Sequence, residues 1–314
     1  MIGVLALAVA AQVSDAEISA GLEWVRSMPP ATTEYEYVIT GAVRLGLFWL
    51  SRDDVGLGRI RMGAQAGAEF IQLVVGAVPE KAPFGLNRWG EAPEILRPAD
   101  GRSVFFGLMT PTGDSSFVSA RDDIQKNRQT GEHKLQVLLS HVDKKRAVSS
   151  GRLLTFDKAW TVTQLHELEG AVLGRLADTT HAPRVLQNPA DACGSTDGLL
   201  YAVRALMDSA AAPPVSRGFV YHSRCYTATL VRAERVAETT IAFQLHGARM
   251  KSVRTYRDLR RLEFEILNRS SGRKSTFEML AGASGVLRGV PIQIEYRPNW
   301  WLRLRLSLSS GSGI

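Results

Sequence analysis

Residues 289–311 read GVPIQIEYRPNWWLRLRLSLSSG. In the first part Ile292, Ile294 and Tyr296 share one side of an extended chain, with Gln293, Glu295 and Arg297 on the other. Pro298 and Asn299 are turn residues and break the run. Beyond them Leu302, Leu304, Leu306 and Leu308 share one face, and Trp301, Arg303, Arg305 and Ser307 the other. A period of two on both sides of a proline turn is the pattern of two antiparallel strands with one face buried. The leucine face is expected in a core and the Arg/Ser face in water. Trp301 beside Arg303 and Arg305 fits either an arginine stacked on an indole within one sheet face or an interfacial membrane contact.

The same alternation extends upstream. After Arg217 the segments GFVYHSRCYTATLVRAERV, ETTIAFQLHGARM, RLEFEILN and KSTFEMLAG all read as strands. In the first half, EYEYVITGAVRLGLFWLS places Tyr35, Tyr37 and Ile39 on one face, with Gly41 and Gly46 marking a turn or a close backbone approach. Further strands are expected at 69–75, 103–109, 133–140 and 151–156. Residues 78–101 are rich in Pro and Gly and read as a long loop, ordered by Phe84, Leu86, Trp89 and Ile95.

Two helices interrupt this pattern. In WTVTQLHELEGAVLGRLAD, Leu165, Leu168, Val172 and Leu176 recur at helical spacing. In STDGLLYAVRALMD, the residues Leu199, Leu200, Val203, Leu206 and Met207 make an apolar stripe. Ser195, Thr196 or Asp197 is the expected N-cap, and Pro213 and Pro214 the stop. A short helix is also expected between residues 15 and 28.

Composition bounds the function. The 314 residues are 45% hydrophobic and 22% charged, an ordinary globular balance with enough apolar mass for a large core. The net charge of +7 is unevenly placed: residues 201–314 carry 18 Lys/Arg against 8 Asp/Glu, whereas residues 1–200 carry 20 against 23. A basic second half suits an anionic partner, but no nucleic-acid-binding motif accompanies it, so nucleic acid is not expected. Residues 2–11 are apolar and too few to span a bilayer; they match the core of a signal peptide, with cleavage sites of small residues at Ala8-Val9-Ala10 and Ser14-Asp15-Ala16. Residues 1–16 are therefore expected to be a signal peptide. The basic residues that usually precede such a core are missing. The remaining residues 17–314 form a mainly-β region, divisible into two subdomains meeting near 158–215. No transmembrane span is expected. The two cysteines, Cys193 and Cys225, are 32 residues apart and in an exported chain are expected to form a disulfide.

Motifs for chemistry are absent or incomplete. GLGRIRMG at 56–63 lacks the spacing and lysine of a phosphate-binding loop. HELEG at 166–170 has no second histidine at zinc-protease spacing. SGRK at 271–274 fits Ser-x-x-Lys without the partner motifs of that enzyme class, and GASG at 282–285 falls short of a nucleophile elbow; both read as turns. No cofactor, metal ligand or catalytic residue is assigned. Tyr201 and Arg204, at i and i+3, share one helical side and read as a clamp to a sheet or a ligand contact.

The order of pieces resembles the DUF3108 family of exported bacterial proteins. DGLLYAVRAL is similar to that family's Asp-x-x-Ser-x-x-Tyr-x-x-Arg helix: Asp197, Tyr201 and Arg204 are present, and Leu200 stands where serine is usual. The strand pair ending RAERVAE, the passage TFEMLAGASGVLRGVPIQIEYR and the opening YEYVITGAVRLGLFWLS complete the likeness. Residues 79–149 have no counterpart. The resemblance implies a strongly curved antiparallel sheet and an envelope location, and no activity. Pattern and resemblance together predict a mainly-β fold: a curved antiparallel sheet or barrel-like roll with two or three short helices. The function expected is non-catalytic binding of an apolar or amphipathic envelope component, lipid or protein. The competing class is an envelope hydrolase or transferase whose site assembles only in three dimensions. The candidate contacts are Tyr201, Arg204, Trp301, Arg303 and Arg305.

Overall fold

A computed structural model describes residues 23–311, apart from 26, 29, 46–47, 66, 83–84, 111–132, 177–183, 210, 246–247 and 300–301. The signal-peptide and cleavage-site expectations, and Trp300 and Trp301, fall outside the described residues. Of the helix expected between 15 and 28, residues 23–25 are described and are helical.

The strands are β1 (Thr33–Leu45), β2 (Phe48–Gln65), β3 (Ala68–Ala77), β4 (Trp89–Arg97), β5 (Arg102–Met109), β6 (His133–Val142), β7 (Arg146–Phe156) and β8 (Arg184–Gln187) in the first half. The second half holds β9 (Val215–Tyr221), β10 (Arg224–Phe243), β11 (Ser252–Asn268), β12 (Lys274–Gly282), β13 (Pro291–Asn299) and β14 (Leu302–Gly311). The helices are α1 (Leu165–Leu176), α2 (Pro189–Cys193) and α3 (Leu199–Asp208). All fourteen strands belong to one antiparallel sheet in the order β8-β7-β6-β5-β4-β3-β2-β1-β14-β13-β12-β11-β10-β9. The mainly-β expectation is met as an unclosed curved sheet with few short helices.

The topology explains the curvature. The chain starts in the middle at β1, meanders outward to the β8 edge, crosses to the β9 edge through α2 and α3, and meanders back so that β14 lies beside β1. A flat sheet of fourteen strands at about 4.8 Å spacing would hold its edges some 60 Å apart. Here they meet. The Ser223 hydroxyl, in the β9–β10 turn, lies 3.1 Å from the Arg184 carbonyl oxygen of β8 and 2.7 Å from the Ser149 hydroxyl of β7. Val142, Ala147, Cys193 and Val220 pack into a small apolar cluster at the same place. Cys193 of α2 and Cys225 of β10 form the expected disulfide, which ties the crossover to the far edge.

Each half has its own core. Leu165, Leu168 and Val172 of α1 pack on Val74, Trp89, Val104, Phe106, Leu108 and Val137 of the first half. Ala202, Val203, Leu206 and Met207 of α3 pack on Phe219, Leu230, Leu262, Phe264 and Met279 of the second. Between them, Tyr35, Tyr37 and Ile39 of β1 meet Leu306 and Leu308 of β14 and Ile292 of β13.

Four expectations need correction. Residues 48–65 form one 18-residue strand, so Asp53 and Asp54, expected in a loop, lie within it. The strand needs Gly56 because a Cβ there would lie 2.2 Å from the Gly76 carbonyl oxygen of the neighbouring strand. Trp89–Arg97 is strand β4, not loop; its backbone pairs with β3 and β5 despite Gly90 and Pro93. Ser307 and Ser309 are buried rather than in water: Ser309 donates to the Glu36 carbonyl and Ser307 accepts from Gln293. The N-cap of α3 is Gly198, and neither Ser195, Thr196 nor Asp197 caps it.

Candidate functional site

Two places concentrate unusual chemistry. The first is the end of the sheet where hairpin tips gather. Val43 of β1 pairs with Leu50 of β2 and with Leu302 of β14, so the β1–β2 and β13–β14 turns share that end. A third tip arrives from a distance. β12 pairs with β11 only from Leu259 onward, whereas β10 and β11 stay paired out to Phe243 and Ser252. The outer part of this hairpin is a two-stranded arm. It leaves the sheet at Asp258, which has φ of 50° and whose carboxylate accepts bonds from Arg235 and Ser284.

The arm lies against the central strands. Its Ile241, Phe243 and Tyr256 join the cluster around Tyr37, Leu306 and Leu308, and the Tyr256 hydroxyl donates to the Leu308 carbonyl at 3.3 Å. At its tip Lys251 Nζ is 2.5 Å from Asp53 Oδ2 of β2, and Asp53 also accepts from Thr40 at 2.9 Å. Burial raises the Asp53 pKa, but the Lys251 and Thr40 hydrogen bonds and the charges of Lys251 and Arg305 outweigh it and hold the group below the usual carboxylate range.

Exposed apolar side chains flank both partners of this ion pair along the chain. Met250 is 82% exposed, Phe48 75%, Val253 63% and Leu50 62%. Exposed apolar side chains also occur elsewhere: Val286 (78%) in a 3₁₀ turn between β12 and β13, Leu153 (54%) on β7 and Val231 (48%) on β10. Arginines lie on the same strands and turns. Arg303 stacks over the Trp49 ring at 4.9 Å, Arg254 over Phe243 at 5.5 Å, and Arg249 and Arg52 are exposed. Arg305 instead binds Glu295 at 2.9 Å, and Glu295 also takes Arg297 at 2.8 Å.

The second place is the contact of α3 with β4. The buried Glu94 carboxylate of β4 accepts the backbone N–H of Leu200 at 2.9 Å and of Tyr201 at 3.2 Å. It thus caps a helix whose own N-cap residue is glycine. A Cβ at Gly198 would sit 2.5 Å from the Glu94 carboxyl carbon, so any other residue there would displace the carboxylate from its present place. Asp197, beside it, is held by Arg217 of β9 at 2.5 Å.

The sequence candidates are distributed over these places. Tyr201 is buried near Glu94, its hydroxyl without a hydrogen-bond partner among the described residues; Arg204 is exposed on α3. Arg303 belongs to the hairpin end, stacked on Trp49. Phe48, Leu50, Met250, Val253 and Glu94 were not singled out from the sequence. Lone apolar residues near turns give no signal until the fold brings turns together, and a glutamate in a strand looks like a solvent position. Among the described residues, no group of three or more His, Cys, Asp or Glu side chains could hold a metal ion. No described helix is long and apolar enough to cross a membrane.

No family model matches the chain, and no curated protein matches it. Among solved structures, the crystal structure of a candidate lipoprotein from Parabacteroides distasonis aligns over 90% of this chain and 97% of that chain. The identity is 8% and the TM-score 0.26, so the alignment carries no argument about fold or function.

Proposed function

We propose that this chain is a non-catalytic, exported bacterial protein that docks on an anionic lipid surface of the envelope through its hairpin end. The observation that carries this reading is the Lys251–Asp53 contact, which joins an arm tip bearing exposed Met250, Val253 and Arg249 to a strand bearing exposed Phe48, Leu50 and Arg52. Exposed large apolar side chains brought together are the usual mark of an interaction surface. Cations around them select an anionic surface, where each contributes about 1 kcal/mol. The uneven charge supports the same partner: the basic excess lies in residues 201–314, which supply the arm and Arg303. The Cys193–Cys225 disulfide supports an oxidising compartment outside the cytoplasm. The likeness of the helix and strand passages to DUF3108 points to the same location.

The test is flotation of the full chain with vesicles. Binding to phosphatidylglycerol-containing vesicles is expected at low salt, weakening as salt approaches 0.1 M and the screening length falls to about 10 Å. Phosphatidylcholine vesicles should bind less. Phe48→Ser with Met250→Ser should reduce binding at least tenfold without changing the unfolding midpoint. Equal binding by the wild type and the double variant would overturn the reading and favour an envelope protein as partner.

A further inference from the structure

Glu94 is an acid buried without a cation bonded to it among the described residues. It joins elements that are 106 residues apart in sequence: β4, in the first half of the sheet, and α3, whose apolar face belongs to the core of the second half. Every element around it supplies chemistry. From the segment leading into α3 comes Asp197, already paired with Arg217 of β9. From α3 come the backbone N–H groups, the Tyr201 hydroxyl, which has no hydrogen-bond partner among the described residues, and Arg204. β9 contributes Tyr221, packed edge-on against Phe105 of β5. From β3, Glu69 faces Tyr201. Ser103 of β5 donates to the Thr196 carbonyl at 2.6 Å, fixing the segment just before the helix.

We infer that Glu94 is a proton-operated latch between the two halves of the sheet: protonated, it lets the first turn of α3 seat on β4, and ionised, it drives that contact to open. The physical reason is desolvation. An ionised carboxylate in this position has lost its water and gained only backbone dipoles, with a second acid close by. Opening the contact restores its hydration. The glycine at 198 lets the closed contact form as it stands, since a Cβ there would displace the carboxylate.

The protonation behaviour agrees with the geometry. Burial raises the Glu94 pKa most; the N–H bonds from Leu200, Tyr201 and Leu199 lower it, Asp197 raises it again, and the result is about 7. The closed state therefore binds a proton that the open state, with an ordinary carboxylate, releases. The stability this contributes is fully present below the ordinary carboxylate range and is lost as pH rises toward and through about 7. The inference is independent of the lipid-docking reading.

Hydrogen exchange at the Leu200 and Tyr201 amides tests it, with rates corrected for intrinsic base catalysis. In the wild type the opening equilibrium constant should rise by up to about tenfold per pH unit between pH 5 and 7. In Glu94→Gln it should be flat over that range. His222, whose burial lowers its pKa, titrates in both proteins and cancels in the comparison. Carbon-13 titration of the wild-type glutamates gives a second readout if the variant does not fold: one carboxyl should titrate near 7, and be assigned to Glu94. A Glu94 midpoint below 5, a pH-independent opening in the wild type, or an equal slope in Glu94→Gln would each overturn the latch.

Discussion

Ser149 and Ser223 lie near opposite ends of the fourteen-strand order, on β7 and in the β9–β10 turn, yet their hydroxyl oxygens are 2.7 Å apart. Ser149 is also 2.7 Å from the Ser140 hydroxyl, and Ser223 lies 3.1 Å from both the Ala147 and Arg184 carbonyl oxygens. This chain of hydroxyls does what a closing strand ladder would do in a barrel: it gives the polar groups near the two sheet edges a shared set of partners.

Ser223→Ala is therefore expected to destabilise the protein by about 1–3 kcal/mol, because it leaves buried partners without a bond. Ser223 has φ of 50°, a conformation that favours glycine. Ser223→Gly removes the same hydroxyl but relaxes the backbone, so it should cost less than Ser223→Ala. Urea unfolding midpoints check both points: an equal order would remove the backbone strain, and a Ser223→Ala variant as stable as the wild type would remove the hydroxyl chain from the account of closure.

The disulfide fastens the same region from the other side. Closing a loop of 32 residues is worth about 3–4 kcal/mol in the chain-entropy model. Replacing both cysteines by alanine should lower the unfolding free energy by that order. Protein from its native compartment, unfolded without reductant, should show no titratable thiol.

The central hairpin separates core from surface. Leu306 is buried with its side chain against the β1 and β13 residues, and Leu306→Ala should cost about 2–5 kcal/mol. Leu304 is only partly buried, so Leu304→Ala should cost distinctly less. Arg305→Gln breaks a half-exposed pair with Glu295 and should change stability by less than about 1 kcal/mol. Thermal or urea denaturation of the three variants should rank them in that order.

What was legible in the sequence follows from where each residue's environment is decided. β13 and β14 could be read because one face is apolar and the other polar over several residues, a property of the strand alone. β2 and β4 could not, because their glycines and proline answer to neighbours: Gly56 to the Gly76 carbonyl, and Pro93, which looked like a loop signal, to a strand with both sides paired. The disulfide was legible from a count of two cysteines and an expected compartment. The cap of α3 was not, since the expected cap residues adjoin the helix and the observed one, Glu94, arrives from another strand. The hairpin end escaped for the same reason. Phe48 and Met250 are 202 residues apart, and only the arm that bends off at Asp258 brings Lys251, beside Met250, onto Asp53 of the strand that carries Phe48.

The arm offers the sharpest separation of stability from docking. Asp53 holds the arm tip through Lys251 and is kept below the usual carboxylate range, so its contribution is present at neutral pH and is lost as pH falls through that depressed value. Asp53→Asn removes the anion while keeping an acceptor for Thr40. Two effects should then diverge. The arm loses an anchor, so amides around Tyr256 should exchange faster, although a pair this exposed is worth less than about 1 kcal/mol. At the same time Lys251 is released and the hairpin end becomes more cationic, so binding to phosphatidylglycerol vesicles at low salt should strengthen. A variant that merely damaged the fold would lose both. Faster exchange with weaker vesicle binding would show that the patch needs the seated arm more than it needs the charge, and would place the apolar residues Met250 and Val253, rather than the lysine, at the centre of the contact.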